Sequence, residues 1–354
     1  MKAKTNVSLF ELISQLRFPL IVLVTYAHSY GGITEGYSLL SSGWDTYEVL
    51  KLLVSQTLVK VAVPVFYIMS GYLFFCNVSQ WSGAVYRQKL WRRVRSLLLP
   101  YVFWNLLVAI KYHAFSWHAF WDWNAAAGMQ IDWFGSSHSL TAPANMPLWF
   151  LRDLIVVSLL TPIIYLSIRK CGSWLMAILT IVYLSGICPF IPGLSAYAVY
   201  FFTFGAFLSI RNIQFTNVMQ RIETPTYILS GLLMLVMMLT YRMPVFSSLM
   251  LCFRLVGAIA VFCLMNRLLS CSSRRLPAIL ANSSYFVYLA HYVFFFSFID
   301  KCFFWLFGNS TCSMSLHYLF SPLLKVALLV TAYFVWNAII RRVSPVSPSS
   351  PVKD

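Results

Sequence analysis

Apolar positions recur along nearly the whole chain in runs of about 17–25 residues, the length that crosses a hydrocarbon layer, and short polar stretches separate them. Ten spans can be drawn: Leu12–Gly32, Leu52–Cys76, Leu97–His113, Leu148–Ile168, Trp174–Phe190, Ala196–Ile210, Tyr227–Tyr241, Ser247–Leu268, Leu280–Ile299 and Tyr318–Ile340. The pattern predicts an all-α polytopic membrane protein. An ionisable residue inside such a run is costly, so it marks a position of interest. The first run contains QLRFPLIVLVTYAHSY, from Gln15 to Tyr30, with Arg17 near one end and His28 near the other. Eleven residues at ~100° each turn a helix three times plus ~20°, so the two share one face, ~16 Å apart along the axis.

Composition agrees. Of 354 residues, 60% are apolar and 10% charged, against about 25% charged in an ordinary soluble domain. The formal charge of +16 would suggest nucleic acid in a soluble protein. Here the basic residues sort by side instead, which points to a lipid bilayer and away from nucleic acid. Seventeen of the twenty-six Lys and Arg fall in alternate loops and tails, among them Arg87, Lys89, Arg92, Arg93, Arg95, Arg169, Lys170, Arg274, Arg275, Arg341 and Arg342. The opposite loops hold Lys51, Lys111, Arg242 and Lys301 beside Glu35, Asp45, Glu48, Asp122, Asp132 and Asp300. Such alternation predicts about ten spans with both termini in the cytoplasm. Residues 1–343 read as one integral membrane domain. The Pro/Ser-rich stretch 344–354 reads as a disordered cytoplasmic tail.

The basic start Met1–Lys4 precedes an apolar run, but Arg17 interrupts it, and Tyr26, His28 and Tyr30 stand where small cleavage-site residues belong. An uncleaved first helix is expected. The eight cysteines have no metal-ligand spacing, and no metal is expected. Cys302 and Cys312 flank one short segment and are a candidate pair on an oxidising side.

Four constellations carry candidate chemistry. A neutral imidazole at His28 in a water-poor cavity suits a general base for a hydroxyl. Arg92 and Arg95, three apart before the third span, are neighbours on a helix and suit an anionic group, although positive-inside topology alone also accounts for them. The segment from Tyr112 to Trp149 spreads Trp117, Trp121, Trp123, Trp133 and Trp149 through a long loop with His118 and His138, flat faces suited to sugar rings. In the ninth run, NSSYFVYLAHY places His291 at a depth comparable with His28. Arg17, Lys60, Arg152, Arg254 and Lys325 lie inside or at the rim of spans; Arg254 and Lys325, the deepest, are expected to line an interior. No phosphate-binding loop, dinucleotide fingerprint or nucleophile elbow occurs.

Together these strings resemble the acyltransferase-3 family of ten-span membrane O-acyltransferases. Arg17 and His28 match its Arg, ten residues, His motif. Ser70, Gly71 and Tyr72 in VPVFYIMSGYLFF resemble its second-span motif, and Arg92 and Arg95 supply the Arg-x-x-Arg before the third span. PLWFLRDL (Pro147 to Leu154) and the YLAH ending at His291 are similar to further family segments. The chain resembles the single-domain members, without the hydrolase-like extracytoplasmic domain that some members append.

The resemblance implies transfer of an acyl group, usually acetyl from cytoplasmic acetyl-CoA, to a hydroxyl of an envelope glycan or glycolipid in the inner (plasma) membrane. It makes His28 catalytic and Arg17, Arg92 and Arg95 the donor-binding residues. Ser70, Tyr72, Trp149, Arg152 and His291 are the substrate-binding candidates. Asp153 is the expected partner that orients the His28 ring, and Arg152 or Tyr26 the expected oxyanion stabiliser. The competing reading is a transporter or flippase of a lipid-linked sugar, with Arg254, Lys325, the polar Arg17/His28 stripe and the outer tryptophans along its path; an inactive scaffold is a third.

Overall fold

The computed structural model describes residues 7–29, 32–78, 80–115, 143–189, 191–272, 274–293 and 297–343. Among these, every regular element is helical and no strand occurs. The tryptophan-rich stretch 116–142, with Trp117, Trp121, Trp123, Trp133, His118 and His138, and the tail 344–354 lie outside the described residues.

Helix α1 (Leu9–Ala27) starts at Ser8, whose side chain accepts from the Glu11 N–H at 3.1 Å and so satisfies a donor the first turn leaves open. Leu12, Ile13, Leu16, Leu20, Ile21 and Val24 are buried at the three- and four-residue spacing of a single face.

Helix α2 (Thr46–Phe75) begins earlier than the predicted Leu52. Asp45 caps it through the Glu48 N–H at 2.9 Å. Glu48 and Lys51, expected in a loop, are buried in its first turns as an ion pair at 2.6 Å. Their remaining bonds explain how the charges are tolerated: Thr34 donates to Glu48 at 2.7 Å, and Lys51 donates to the Gly32 carbonyl at 2.9 Å. A π-helical segment, Leu52–Thr57, and a 3-10 turn, Leu58–Val61, interrupt the α-helical ladder. The start of α1 lies beside the end of α2, with the Phe10 and Tyr72 rings 6.2 Å apart. Near the other end, Ser55 donates to the Tyr26 carbonyl at 3.3 Å, so the two helices run antiparallel.

Helix α3 (Gly83–Arg93) is amphipathic and passes through a π-helical segment, Val94–Leu98, into α4 (Leu99–Phe115). The predicted span Leu148–Ile168 is two helices, α5 (Trp149–Leu159) and α6 (Thr161–Cys171), bent by 61° at Leu160. Pro162 in the first turn of α6 has no N–H with which to continue the ladder of α5. Then come α7 (Ser173–Ser185), α8 (Ala196–Ile210), α9 (Phe215–Leu239), α10 (Val245–Cys271), α11 (Ala278–Ala290), α12 (Ser297–Phe307) and α13 (Thr311–Val343). Five described helices, α1, α2, α9, α10 and α13, are long and apolar enough to cross a membrane, and the bent pair α5–α6 makes a sixth. Helices α7, α8 and α11 are apolar but shorter. The chain is a multi-pass membrane protein, all-helical in its described regular elements. The ninth predicted span is not continuous: α11 stops at Ala290, and His291 caps it.

Among the described residues, helices α2 and α8 approach backbone to backbone. A methyl group built on Gly71 would overlap the Phe202 carbonyl, and one on Gly205 would overlap the Ile68 carbonyl. Each glycine therefore receives the other helix's backbone, the use that small residues have where membrane helices cross. This gives Gly71 of the Ser-Gly-Tyr string a packing role.

Lys325 of α13 points to α12, where Asp300 accepts from His317 at 2.8 Å, Ser321 at 2.9 Å and Lys325 at 3.1 Å. Burial pushes the Asp300 carboxyl up, but the bonds from His317 and Lys325 outweigh it and hold it down at about 2. Cys302 and Cys312 are free thiols.

Candidate active site

The face of α1 that carries Arg17 and His28 borders a cavity. Ile13, Arg17, Ile21, Val24 and His28 all line one space of about 480 Å³. Their spacing of four, four, three and four residues is one stripe of an α-helix. The opposite walls come from Val63, Phe66, Met69, Ser70 and Leu73 of α2, from Trp149, Phe150, Leu151 and Leu154 of α5, and from Ala281, Asn282, Ser284, Tyr285 and Tyr288 of α11. Arg93, Ser96 and Leu97 close the remaining side.

The walls are mostly apolar, two arginines are the only charged residues among the described lining side chains, and no carboxylate is present. Arg17 lies three helical turns before His28. The antiparallel course of α1 and α2 puts Ser70 toward the start of α1, on the Arg17 side of the cavity and away from His28. Arg93 joins them there, donating to the Ser70 hydroxyl at 3.1 Å and its carbonyl at 3.4 Å. One end of the cavity is thus doubly cationic, and the other is marked by His28.

His28 is the residue on which α1 ends, its backbone N–H turned back to the Thr25 carbonyl at 3.2 Å. Its ring meets the ring of His291, the corresponding cap of α11, with centroids 5.3 Å apart, and the ring of Tyr292 at 6.1 Å. Helices α1 and α11 pack side by side and in parallel, so two carbonyl ends converge on the histidine pair. That end of a helix carries negative partial charge, where positive charge arises if His28 takes a proton. Lys60, in the 3-10 turn of α2, lies within electrostatic reach of both His28 and Arg254.

Several expected site residues stand elsewhere. Asp153 does not reach His28: its carboxylate accepts from Arg152 Nε at 2.9 Å, Arg152 Nη2 at 2.8 Å, Ser195 at 2.8 Å and the Gly193 N–H at 3.1 Å. It ties the start of α5 to the loop before α8. Arg152, 1% exposed, is thereby committed to Asp153 and does not line the cavity. Tyr26, the other oxyanion candidate, donates to the Leu319 carbonyl at 2.5 Å. Arg92 and Arg95 are exposed, and Arg95 lies over Trp91 at 5.3 Å. The π-helical segment from Val94 to Leu98 changes the register on which their pairing depends, and Arg93 is the one that turns inward. Tyr72 is two residues past Ser70, on the far side of α2. It lines a second cavity of about 690 Å³ with Phe10, Cys76 and Arg169. His291 lies behind the wall. Ser70 and Trp149 do line the cavity.

Arg254 sits under the Tyr197 ring at 5.0 Å and lines a pocket of about 170 Å³ away from this cavity. Lys325 is held by Asp300.

Comparison with known proteins gives two matches. The family model described as an acyltransferase domain, Acyl_transf_3, matches residues 11–342. The succinoglycan biosynthesis protein ExoH of Rhizobium meliloti (strain 1021) is similar, 28% identical over 174 residues. The match covers 48% of this chain and 43% of that protein, so the chain spans less than half of its relative's length. No solved structure matches.

Proposed function

Since the chain belongs to the acyltransferase-3 family, we propose that it transfers an acetyl group from cytoplasmic acetyl-CoA to a hydroxyl of an envelope glycan or glycolipid. The observation that carries this reading is the single cavity with Arg17 and Arg93 at one end and His28 at the other. Coenzyme A has phosphates at one end of an extended arm and its thioester at the other. The arginines suit the anionic end, and the apolar walls suit the arm. The glycan acceptor draws support from the similar protein, whose name refers to the synthesis of succinoglycan. The alternating loop charges support ten spans in the inner membrane, both termini in the cytoplasm, and the arginine end of the cavity inward.

In the proposed step the acceptor hydroxyl enters from the outer side. His28 takes its proton as the oxygen forms a bond to the thioester carbonyl carbon. The carbonyl electrons move to oxygen and then return, breaking the carbon–sulfur bond. The departing thiolate takes the proton back from His28, leaving an ester and free coenzyme A. Trp149 on the outer part of the wall offers a flat face to the acceptor sugar, and Ser70 works with Arg93 on the donor. The transporter reading draws on Arg254 and Lys325, which do not line the cavity, and on the Arg17/His28 stripe and the outer tryptophans, which it shares with acyl transfer.

Membranes containing the protein, given acetyl-labelled acetyl-CoA, are expected to label envelope glycan. His28→Ala is expected to lower the rate by roughly 10²–10⁴-fold, the usual worth of a general base. Label transfer that survives this change intact would sink the mechanism. Substrate crossing the bilayer with no acyl product would favour transport.

A further inference from the structure

His291 is 7% exposed, and its two ring nitrogens differ in what they meet. Nδ1 lies 2.7 Å from the Tyr288 carbonyl oxygen, which can only accept. Nδ1 therefore carries the hydrogen, and Nε2 carries a lone pair. That Nε2 is buried and has no hydrogen-bond partner among the described residues. A buried acceptor without a donor is costly, and the neighbour across from it is His28. Ring centroids at 5.3 Å let facing nitrogens approach to about one hydrogen-bond length, ~3 Å, once the rings turn toward each other.

We propose that His291 is the positioning residue for His28, its Nε2 lone pair receiving the N–H of His28 and so aiming the other His28 nitrogen into the cavity. The assignment rests on the acyl-transfer reading and adds to it the partner that the catalytic imidazole lacks. Order along the chain of contacts is cavity, His28, His291, Tyr288 carbonyl. Because His28 lines the cavity and His291 stands behind it, the second ring is placed to act through the first and not on the substrate.

The arrangement does what a carboxylate does behind a catalytic histidine: it selects one tautomer and one ring orientation. It does so without adding a negative charge to a low-dielectric site. When His28 takes the hydroxyl proton, its second N–H stays bonded to His291, and the proton returns to the leaving thiolate. No proton is lost through His291, whose own N–H remains on the Tyr288 carbonyl. The backbone supplies the fixed point. Tyr288 is held by its own hydroxyl, which donates to the Pro147 carbonyl at 2.6 Å, linking the relay to the entry of α5.

The test compares His291→Leu, which fills the space without an acceptor, with His291→Gln, whose side-chain oxygen can stand near the Nε2 position. Purified full-length protein in detergent or vesicles is assayed for labelled acetyl transfer, and thermal melting is followed in parallel. The expected result is a fall in kcat of about 100-fold for His291→Leu, the lower range for losing a residue that orients a general base. KM for acetyl-CoA should stay within twofold of wild type, and His291→Gln should recover at least a tenth of the wild-type kcat. Equal activity of His291→Leu and wild type overturns the inference. So does an equal loss in both variants with lowered melting temperature, which would make His291 a packing residue only. If wild type transfers acetyl and His28→Ala does not, while His291→Leu is unaffected, the positioning role alone fails. If wild type transfers no acyl group, the underlying reading fails and takes this assignment with it.

Discussion

Three arginines crowd the approach to α4, yet only Arg93 reaches the cavity, where it bonds to Ser70. Its neighbours Arg92 and Arg95 point into the surroundings. Arg93→Ala is therefore expected to raise KM for acetyl-CoA by roughly tenfold or more, since a charge-assisted bond to phosphate contributes about 1.5–3 kcal/mol. The double change Arg92→Ala with Arg95→Ala should raise it less. Initial rates across a series of donor concentrations decide between them. The sequence showed that a cluster of cations stood at this mouth, and it singled out the pair three residues apart. It did not reveal the π-helical segment that alters their register. The Arg17/His28 stripe was legible because α1 is a regular α-helix, in which spacing alone decides the face. The partner of His28 was not legible, because it depends on how α1 and α11 end beside each other. Asp153 was the only acid at a plausible depth, but its neighbour Arg152 and the loop at Gly193 and Ser195 already use its oxygens.

Among the elements, α2 joins two different tasks. One side carries Ser70 to the cavity, and the other carries Gly71 against Phe202 of α8. Gly71→Ala forces the two backbones apart, and overpacking of this kind costs about 1–3 kcal/mol. A lower melting temperature with KM for acetyl-CoA nearly unchanged is expected in detergent-solubilised protein. A variant as stable as wild type would show that the crossing is looser than its geometry indicates. Hydrophobic runs located the helices well and their ends poorly. Apolarity continues through the bend between α5 and α6 and past the end of α11, so the eye joins what the backbone separates. The reverse holds at the start of α2, where polar Glu48 and Lys51 read as a loop although their pairing lets them be buried.

The whole molecule is a helical assembly whose alternating basic loops imply an inside and an outside. The exposed cysteines supply a direct measure of that arrangement. Cys171 and Cys271 end α6 and α10 beside basic clusters, and the ten-span arrangement expected from the loop charges puts Cys188 and Cys312 on the opposite side. In intact cells or right-side-out vesicles, a membrane-impermeant maleimide is expected to modify Cys188 and Cys312 and spare Cys171 and Cys271. Peptide mapping of the modified sites checks this, and labelling of Cys171 from outside would break the ten-span arrangement. Class and general architecture were legible from runs and charges, because a bilayer demands both. The cavity was not, since it is built from side chains that five separate segments contribute. The reciprocal glycine contact, finally, limits how that cavity can change shape. Two helices notched into each other's backbone cannot slide lengthwise, because a slip would bring larger side chains of the same faces, Ile68 or Phe75 and Phe202 or Leu208, against the backbone that each glycine now receives. Helices α2 and α8 therefore act as a fixed post. Any change in the shape of the cavity has to come from the walls that α5 and α11 supply.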